Sequence, residues 1–422
     1  MKVLQLCKKF PYPLRDGESI AVNSLSKPFQ ELGCEVTLLA MNTAKHYCDV
    51  HQLPAHFNHY AAIHTVPVDN RLKLRDAFVN LFCQKSYHIT RFESDAFAQK
   101  LLQLLQATQF DIIQLETVYL APYIPLIRRH TDALIAMRAH NVEHEIWERI
   151  TENTWFWPKK WYLRHLTEKL RRYEIAQLAN YDLLVAISER DLSVCRRLGY
   201  QGAAVVTPIG INSNDYQPQR RISEDIASIG FIGSLDWMPN QEGLQWFLDK
   251  VWPHLHRRFP TLTFHIAGRN TPAWIERLQV PKVIVHGEVP DAAAFINQHP
   301  VMVTPLLSGS GMRVKILESM ALGRTVVTTS LGLEGIQARH RQEVLMADTP
   351  AAFVQAIIEC CQNTHQTEQI GQRARAFVLE TYDNREIALH LLQTYSRLYQ
   401  ERFGVTPYLP AWSSGALSPT RA

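Results

Sequence analysis

Short apolar runs recur along this chain, each broken by glycine or proline and followed by a segment with helical spacing. Val3-Leu4-Gln5-Leu6 is followed by Pro11, Pro13 and Gly17, then by an apolar-periodic segment from Ile20 to Leu32 that Gly33 ends, then by a second run from Val36 to Ala40. Strand, loop, helix, strand is the grammar of a parallel sheet with crossover helices. The pattern predicts further strands at Asp111–Leu115, after a helix at Ser94–Leu105, and at Leu134–Met137 and Leu183–Ile187. It resumes with strands at Ile229–Leu235, Phe264–Arg269, Val283–Val289 and Val301–Pro305, and helices at Met312–Leu322, Pro350–Cys361 and Thr367–Thr381.

Between the two sets lies Pro208 to Ser223, rich in Pro, Asn, Asp and Arg, which reads as an interdomain linker. The expected division is a first doubly wound domain over 1–207, a linker over 208–226, a second such domain over 227–383, a terminal helix over 384–403 and a tail over 404–422. A length of 422 residues suits two cores better than one. The composition, 46% hydrophobic and 20% charged, is that of a globular protein, and a net charge of +4 gives no warrant for nucleic-acid binding.

The stretch with most chemistry is Val301 to Ile336. Its strand leads into the loop Ser308-Gly309-Ser310-Gly311 and then into a helix whose polar residues are Arg313, Lys315 and Glu318. Glycines let a ligand approach the backbone, and the first amides of the following helix point outward unpaired, so this is a candidate anion site. Two cations at a helix start oppose the dipole unless an anion binds there. One reading puts a diphosphate at the loop and ribose hydroxyls on Glu318; the other has Glu318 pairing with Lys315 on a solvated face. The dinucleotide fingerprint is excluded by a missing third glycine, and the P-loop by the lack of Gly-Lys-Ser/Thr.

These residues resemble the donor-site segment of glycosyltransferase family 4, a group of retaining enzymes with the GT-B fold. The match runs through Glu318-Ser319-Met320-Ala321 and Gly323-Arg324-Thr325-Val326-Val327. It is similar to a branch written Gly-x-Gly-x-Arg-x-Lys-x-Leu-Glu, in which Ser310 stands where the family often has an acid that contacts the donor sugar. The resemblance implies two Rossmann-like α/β domains facing a central cleft, the first on the acceptor side and the second binding a nucleotide sugar. The helix at Arg385–Arg402 would cross back to the first domain.

The resemblance also implies roles. Gly233, Gly268, Arg269, Gly287, Val289, Ser308, Gly309, Ser310, Gly311 and Met312 would bind the donor, the strand ending at Val289 meeting the base mostly through its backbone. The cations that many members carry after the first glycine turn are replaced here by Asp236-Trp237-Met238-Pro239-Asn240, so Arg313 and Lys315 take that task. With Glu318 and His140, which looks like the family's histidine near the reacting sugar, they form the expected catalytic set. Phe10-Pro11-Tyr12-Pro13 with Asp16-Gly17 matches the acceptor-facing loop, Glu18 replacing a second glycine, and Asn141 lies on the acceptor side as well.

The implied activity is transfer of a sugar from a nucleotide-diphosphate sugar, with retention, to a glycan or lipid-linked acceptor in cell-surface polysaccharide or glycolipid synthesis. A nucleotide-sugar epimerase of similar layout and a catalytically silent nucleotide-sugar-binding subunit are the alternatives. No cofactor is expected beyond the donor. Nor is a metal, since Asp-x-Asp is absent and His51, His56, His59 and His64 fit no ligand spacing.

Seven scattered cysteines, no apolar window near the roughly 18 residues of a spanning helix, and Lys8-Lys9 soon after the first run point to a cytoplasmic protein. Contact with the inner face of the membrane is a further expectation. From Trp155 to Tyr173, the aromatics Trp155, Phe156, Trp157, Trp161 and Tyr162 cluster among Lys159, Lys160, Arg164, Lys169, Arg171 and Arg172, with Glu168 the one acid besides. That stretch reads either as a peripheral membrane contact or as tryptophans packed inside the first domain beside a solvated helix.

Overall fold

The computed structural model describes residues 1–405 apart from 15–16, 45–46, 55–56, 72–79, 81–82, 84–85, 153, 220–225 and 310–311. Asp16, Ser310 and Gly311 of the expected site, and His56, therefore lie outside the described residues. The chain divides into two compact units, Met1–Pro208 with Ile387–Ala422, and Ile209–Glu386.

The first unit holds a seven-stranded sheet. In chain order its strands are β1 (Lys2–Cys7), β2 (Glu35–Thr43), β3 (Ala62–Val68), β4 (Ile112–Leu115), β5 (Leu134–Ala139), β6 (Leu183–Ala186) and β7 (Ala203–Val206). They lie side by side as β3-β2-β1-β4-β5-β6-β7, all parallel. Strands buried on both faces need apolar residues throughout, which is why these segments read as continuous hydrophobic runs. One core lies on each face: Leu4, Leu6, Ile113 and Leu115 on one side, Val3, Val36, Ile112 and Leu183 on the other. The helix Asn384–Phe403 belongs to this second core through Ile387, Ala388, Leu391, Leu392 and Tyr395.

The second unit repeats the plan with six strands: β8 (Ser228–Ile232), β9 (Thr263–Ala267), β10 (Val283–Gly287), β11 (Val301–Thr304), β12 (Thr325–Thr328) and β13 (Leu345–Met346), ordered β10-β9-β8-β11-β12-β13. Its pairs are parallel too. In both sheets the order reverses once, between β1 and β4 and between β8 and β11. Ligands of open α/β sheets bind beyond the carboxyl ends of the strands at such a reversal.

Of the helix boundaries that differ from the sequence reading, two bear on the candidate site. The helix expected from Met312 spans Val314–Ala321, because Arg313 takes φ −92° and ψ 80° and acts as its cap. The helix expected from Ile20 begins at Gly17 and runs to Glu31. Gly17 and Glu18 thus belong to its first turn and not to the preceding loop, and an acid in that turn complements the helix dipole.

Candidate donor site and the polar cluster of the first unit

In the second unit, Gly233 leaves β8 and the Ser308-Gly309 loop leaves β11, on either side of the strand reversal. The strand exits are pressed together. A Cβ at Gly268 would stand 1.9 Å from the carbonyl oxygen of Gly233, so only glycine fits there, and the Gly268 N–H donates to Gly287 O at 2.7 Å. Gly309 has φ +98°, which favours glycine, and its α-carbon faces Trp237 and Pro239.

Lys315 sits in the first turn of the Val314–Ala321 helix and reaches across to β8. Its Nζ donates to Asn240 Oδ1 at 2.7 Å and lies 4.4 Å from the centroid of the Phe231 ring, while Asn240 Nδ2 donates to Ser234 O at 2.7 Å. Asn240 therefore ties the lysine to the turn after Gly233. Burial, with the neighbouring Arg313 guanidinium, lowers the Lys315 pKa to about 7, against the opposing pull of Glu318. Arg313 is buried with its guanidinium 5.5 Å from the Trp237 ring, and burial lowers its pKa against the pull of Glu334.

Glu318 does not follow the reading that pairs it with Lys315 on a solvated face. Among the described residues it forms no ion pair with Lys315; it accepts a hydrogen bond from Tyr216 Oη at 2.7 Å. Burial raises its pKa, offset by that bond and by Lys315. Tyr216 is held in turn, since its carbonyl accepts from Arg375 Nη1 at 2.8 Å. Ser308 Oγ donates to Glu242, and Arg269 Nε donates to Ser234 Oγ at 3.3 Å. Met312 and Val289 pack beside the apolar core under the helix.

The first unit gathers a second set of groups at the carboxyl ends of its strands. Glu116, fully buried after β4, accepts from His140 Nε2 at 2.8 Å, from Gln5 Nε2 at 2.5 Å and from Gln114, and lies 3.4 Å from Arg138 Nη1. Arg138 Nη1 also donates to Ala21 O at 2.6 Å. Burial alone would raise the Glu116 pKa; the Arg138 charge and the His140 and Gln5 bonds outweigh it and hold the carboxyl at about 2.

A carboxylate only accepts, so His140 carries a hydrogen on Nε2 and donates it to Glu116. His140 is buried directly after β5, with its ring fixed by Glu116. A cavity of about 30 Å³ lies beside it, lined by Asn141, Glu143, Glu174 and Tyr181 among others, room for about one water. Asn141 is exposed, and Tyr119 Oη donates to Glu143 at 3.0 Å. Glu18 lies 3.4 Å from Lys8 Nζ and 3.6 Å from Lys9 Nζ, so it holds both lysines that follow β1.

The structure therefore brings Gly233, Lys315 and Asn240 together, and separately Glu318 with Tyr216, within the second unit; His140 and Asn141 belong to the first. Asn240, Tyr216 and Glu116 were not found from sequence. Asn240 follows a tryptophan and a proline in what reads as loop, and Tyr216 lies in a linker, so neither carries a periodic signal. Glu116 was the one signal available, an acid directly after a buried strand.

Residues 227–363 match the family Glycosyl transferases group 1. Sucrose-phosphate synthase from Thermosynechococcus elongatus superposes over 95% of this chain and 100% of its own, with a TM-score of 0.64 and 16% identity. HepE from Anabaena, solved in complex with UDP, superposes over 94% and 100%, with a TM-score of 0.64 and 15% identity. The fold is GT-B. An uncharacterized 44.6 kDa protein of the cps region of Klebsiella pneumoniae is 28% identical over 166 residues, which is 37% of this chain and 43% of that relative. The group 1 domain covers β8 to β13 and the stretch from Gly233 to Glu318, and with the GT-B fold it supports a glycosyltransferase.

Proposed function

We propose that this protein is a retaining glycosyltransferase of the family 4 type, which binds a nucleotide-diphosphate sugar on its second unit and transfers the sugar to a glycan or lipid-linked acceptor. The observation that carries the reading is Lys315. A lysine held at the strand reversal by Asn240, with its pKa drawn down to about 7 by burial, is short of a counter-ion, and a diphosphate supplies one. Binding the anion restores the full charge of the ammonium at the place where the departing diphosphate gathers negative charge. Glu318, oriented by Tyr216, presents its remaining acceptor capacity to ribose hydroxyls.

On this reading the leaving phosphate takes the acceptor's proton and no protein nucleophile is needed. No metal or further cofactor has a role. HepE, solved in complexes with UDP and with UDP-glucose, favours a nucleotide-sugar donor, and the cps-region relative favours polysaccharide synthesis. The test is calorimetric titration of the protein with a panel of nucleoside diphosphates and their sugars, followed by incubation of the tightest donor with a lipid extract. Transfer of label to the extract supports the proposal. Isomerised free donor would mean an epimerase, binding without turnover a silent subunit, and no binding of any nucleotide would remove the donor site.

A further inference from the structure

The helices Glu143–Glu152 and Trp157–Gln177 form an antiparallel hairpin: His144 Nδ1 meets Glu174 at 2.6 Å, and Thr151 Oγ1 lies 3.5 Å from Thr167 Oγ1. Its tip is therefore the stretch around Trp155. The second helix buries one stripe, Leu163, Leu166, Thr167 and Leu170, spaced at three and four residues. Its other face carries Trp157, Trp161, Arg164, Arg171 and Arg172 outward.

The tryptophans do not pack inside the unit. Trp155 is 92% exposed, Trp157 77% and Trp161 60%, with Phe156 and Ile150 exposed beside them. Five large apolar side chains together on one tip are more than a monomer leaves in water without use.

The charges around the tip identify what covers it. From Ile150 to Arg164 the charged residues are Glu152, Lys159, Lys160 and Arg164, three cations against one acid. Lys160 Nζ bonds the Glu152 carbonyl oxygen at 3.0 Å, and among the described residues Lys159, Arg164 and Arg171 join no salt bridge. A symmetric contact with a second copy would bring each set of cations against its equivalent, which is unfavourable. An anionic lipid surface accepts both components, the indoles at headgroup level with their N–H groups wet and the cations against phosphate.

We infer that this hairpin tip docks the first unit on an anionic bilayer, Trp155, Phe156, Trp157 and Trp161 inserting while Lys159, Lys160 and Arg164 meet the headgroups. The surface stands on its own geometry and does not depend on the donor reading.

Co-sedimentation of the full chain with vesicles of phosphatidylcholine and phosphatidylglycerol, and with phosphatidylcholine alone, tests it. Wild type should bind the anionic vesicles at low salt and be released as salt rises. Replacing Lys159, Lys160 and Arg164 together by Gln should weaken partition about 100-fold, at about fivefold per cation. Replacing Trp155, Trp157 and Trp161 by Ser should abolish the binding and the accompanying blue shift of tryptophan fluorescence, with circular dichroism and nucleotide titration unchanged. Equal vesicle binding by wild type and the aromatic variant overturns the inference, as does failure of wild type to bind. A wild-type dimer in sedimentation velocity that the aromatic variant dissociates overturns it too, and assigns the tip to a second copy.

Discussion

Lys315 is where a pKa shift becomes a binding prediction. A lysine lowered to about 7 is mostly neutral in the free protein above that pH, whereas the anion-bound state favours the ammonium. Binding then takes up a proton, so affinity for a nucleoside diphosphate should fall as pH rises from 7 to 9, by at most about tenfold per unit. Below pH 7 the lysine is already charged and its contribution to the slope vanishes. Lys315→Met should remove the slope while weakening binding at pH 7, and comparing the two proteins cancels the ligand's own titration. Parallel pH profiles for wild type and Lys315→Met in calorimetry would show that Lys315 does not face the phosphates. Tyr216→Phe is a gentler probe of the same site. It leaves Glu318 without its donor, and should weaken nucleotide-sugar binding by about 1 kcal/mol, the net worth of one hydrogen bond. Equal affinity for wild type and Tyr216→Phe would mean that Glu318 does not touch the ligand.

Glu116 makes the opposite kind of prediction, in stability. Its carboxyl is held at about 2 in the folded protein, below its ordinary value, so the stability it contributes is fully present above about pH 4.5 and is lost as pH falls through 2. Glu116→Gln leaves Arg138, fully buried, without its counter-charge, and removal of one partner from a buried pair costs about 3–5 kcal/mol. Urea unfolding should show that loss undiminished from pH 8 to pH 5 and a shrinking difference below. A loss under about 1 kcal/mol would mean the network is screened by water.

At the scale of elements, many strands and some helices were legible because a parallel sheet covered on both faces demands apolar runs, and helices that cover it demand a stripe, whereas β3, β7, β13 and the helices Met238–Lys250 and Trp252–Arg258 were not read. What was not legible has physical reasons too. The start of the Val314–Ala321 helix was misplaced by two residues because Met312 and Arg313 fit the helical spacing, while the cap is set by backbone geometry at Arg313. Arg138 and Gln114 stand inside strands that otherwise read as core, and nothing along the chain says that they share one buried acid with His140. The hairpin stretch was ambiguous because its aromatics and cations interleave, and only the burial of Leu163, Leu166, Thr167 and Leu170 shows which face is left outside.

The terminal helix carries a prediction at this scale. Tyr395 Oη donates to Gln114 Oε1 at 2.7 Å, a bond between the last helix and a central strand 281 residues away in sequence. Tyr395→Phe keeps the ring packing and strips the buried amide oxygen of its donor. The expected loss is about 1–3 kcal/mol, read as a lower urea midpoint with an unchanged slope. A midpoint equal to that of wild type would show that the helix is held by its apolar face alone.

At the scale of the whole molecule, the two units have separate sheets and separate cores, and the last helix lies with the first unit although the chain reaches it through the second. The chain therefore offers two places where stability can be altered independently. Glu116→Gln and Tyr395→Phe act on the first core; a bound nucleoside diphosphate acts on the second, adding about 2.7 kcal/mol at a ligand concentration one hundred times its dissociation constant. Calorimetric unfolding should resolve into two transitions. Ligand should raise one of them and leave the other in place, and the two substitutions should lower the transition that ligand does not move. A protein ending at residue 383 loses Ile387, Leu391, Leu392 and Tyr395 from the first core, so it should lose that transition and keep a second one that still rises with nucleotide. If ligand and Glu116→Gln shift one shared transition, the units unfold as a single cooperative body and the donor site cannot be assigned to the second unit by this route.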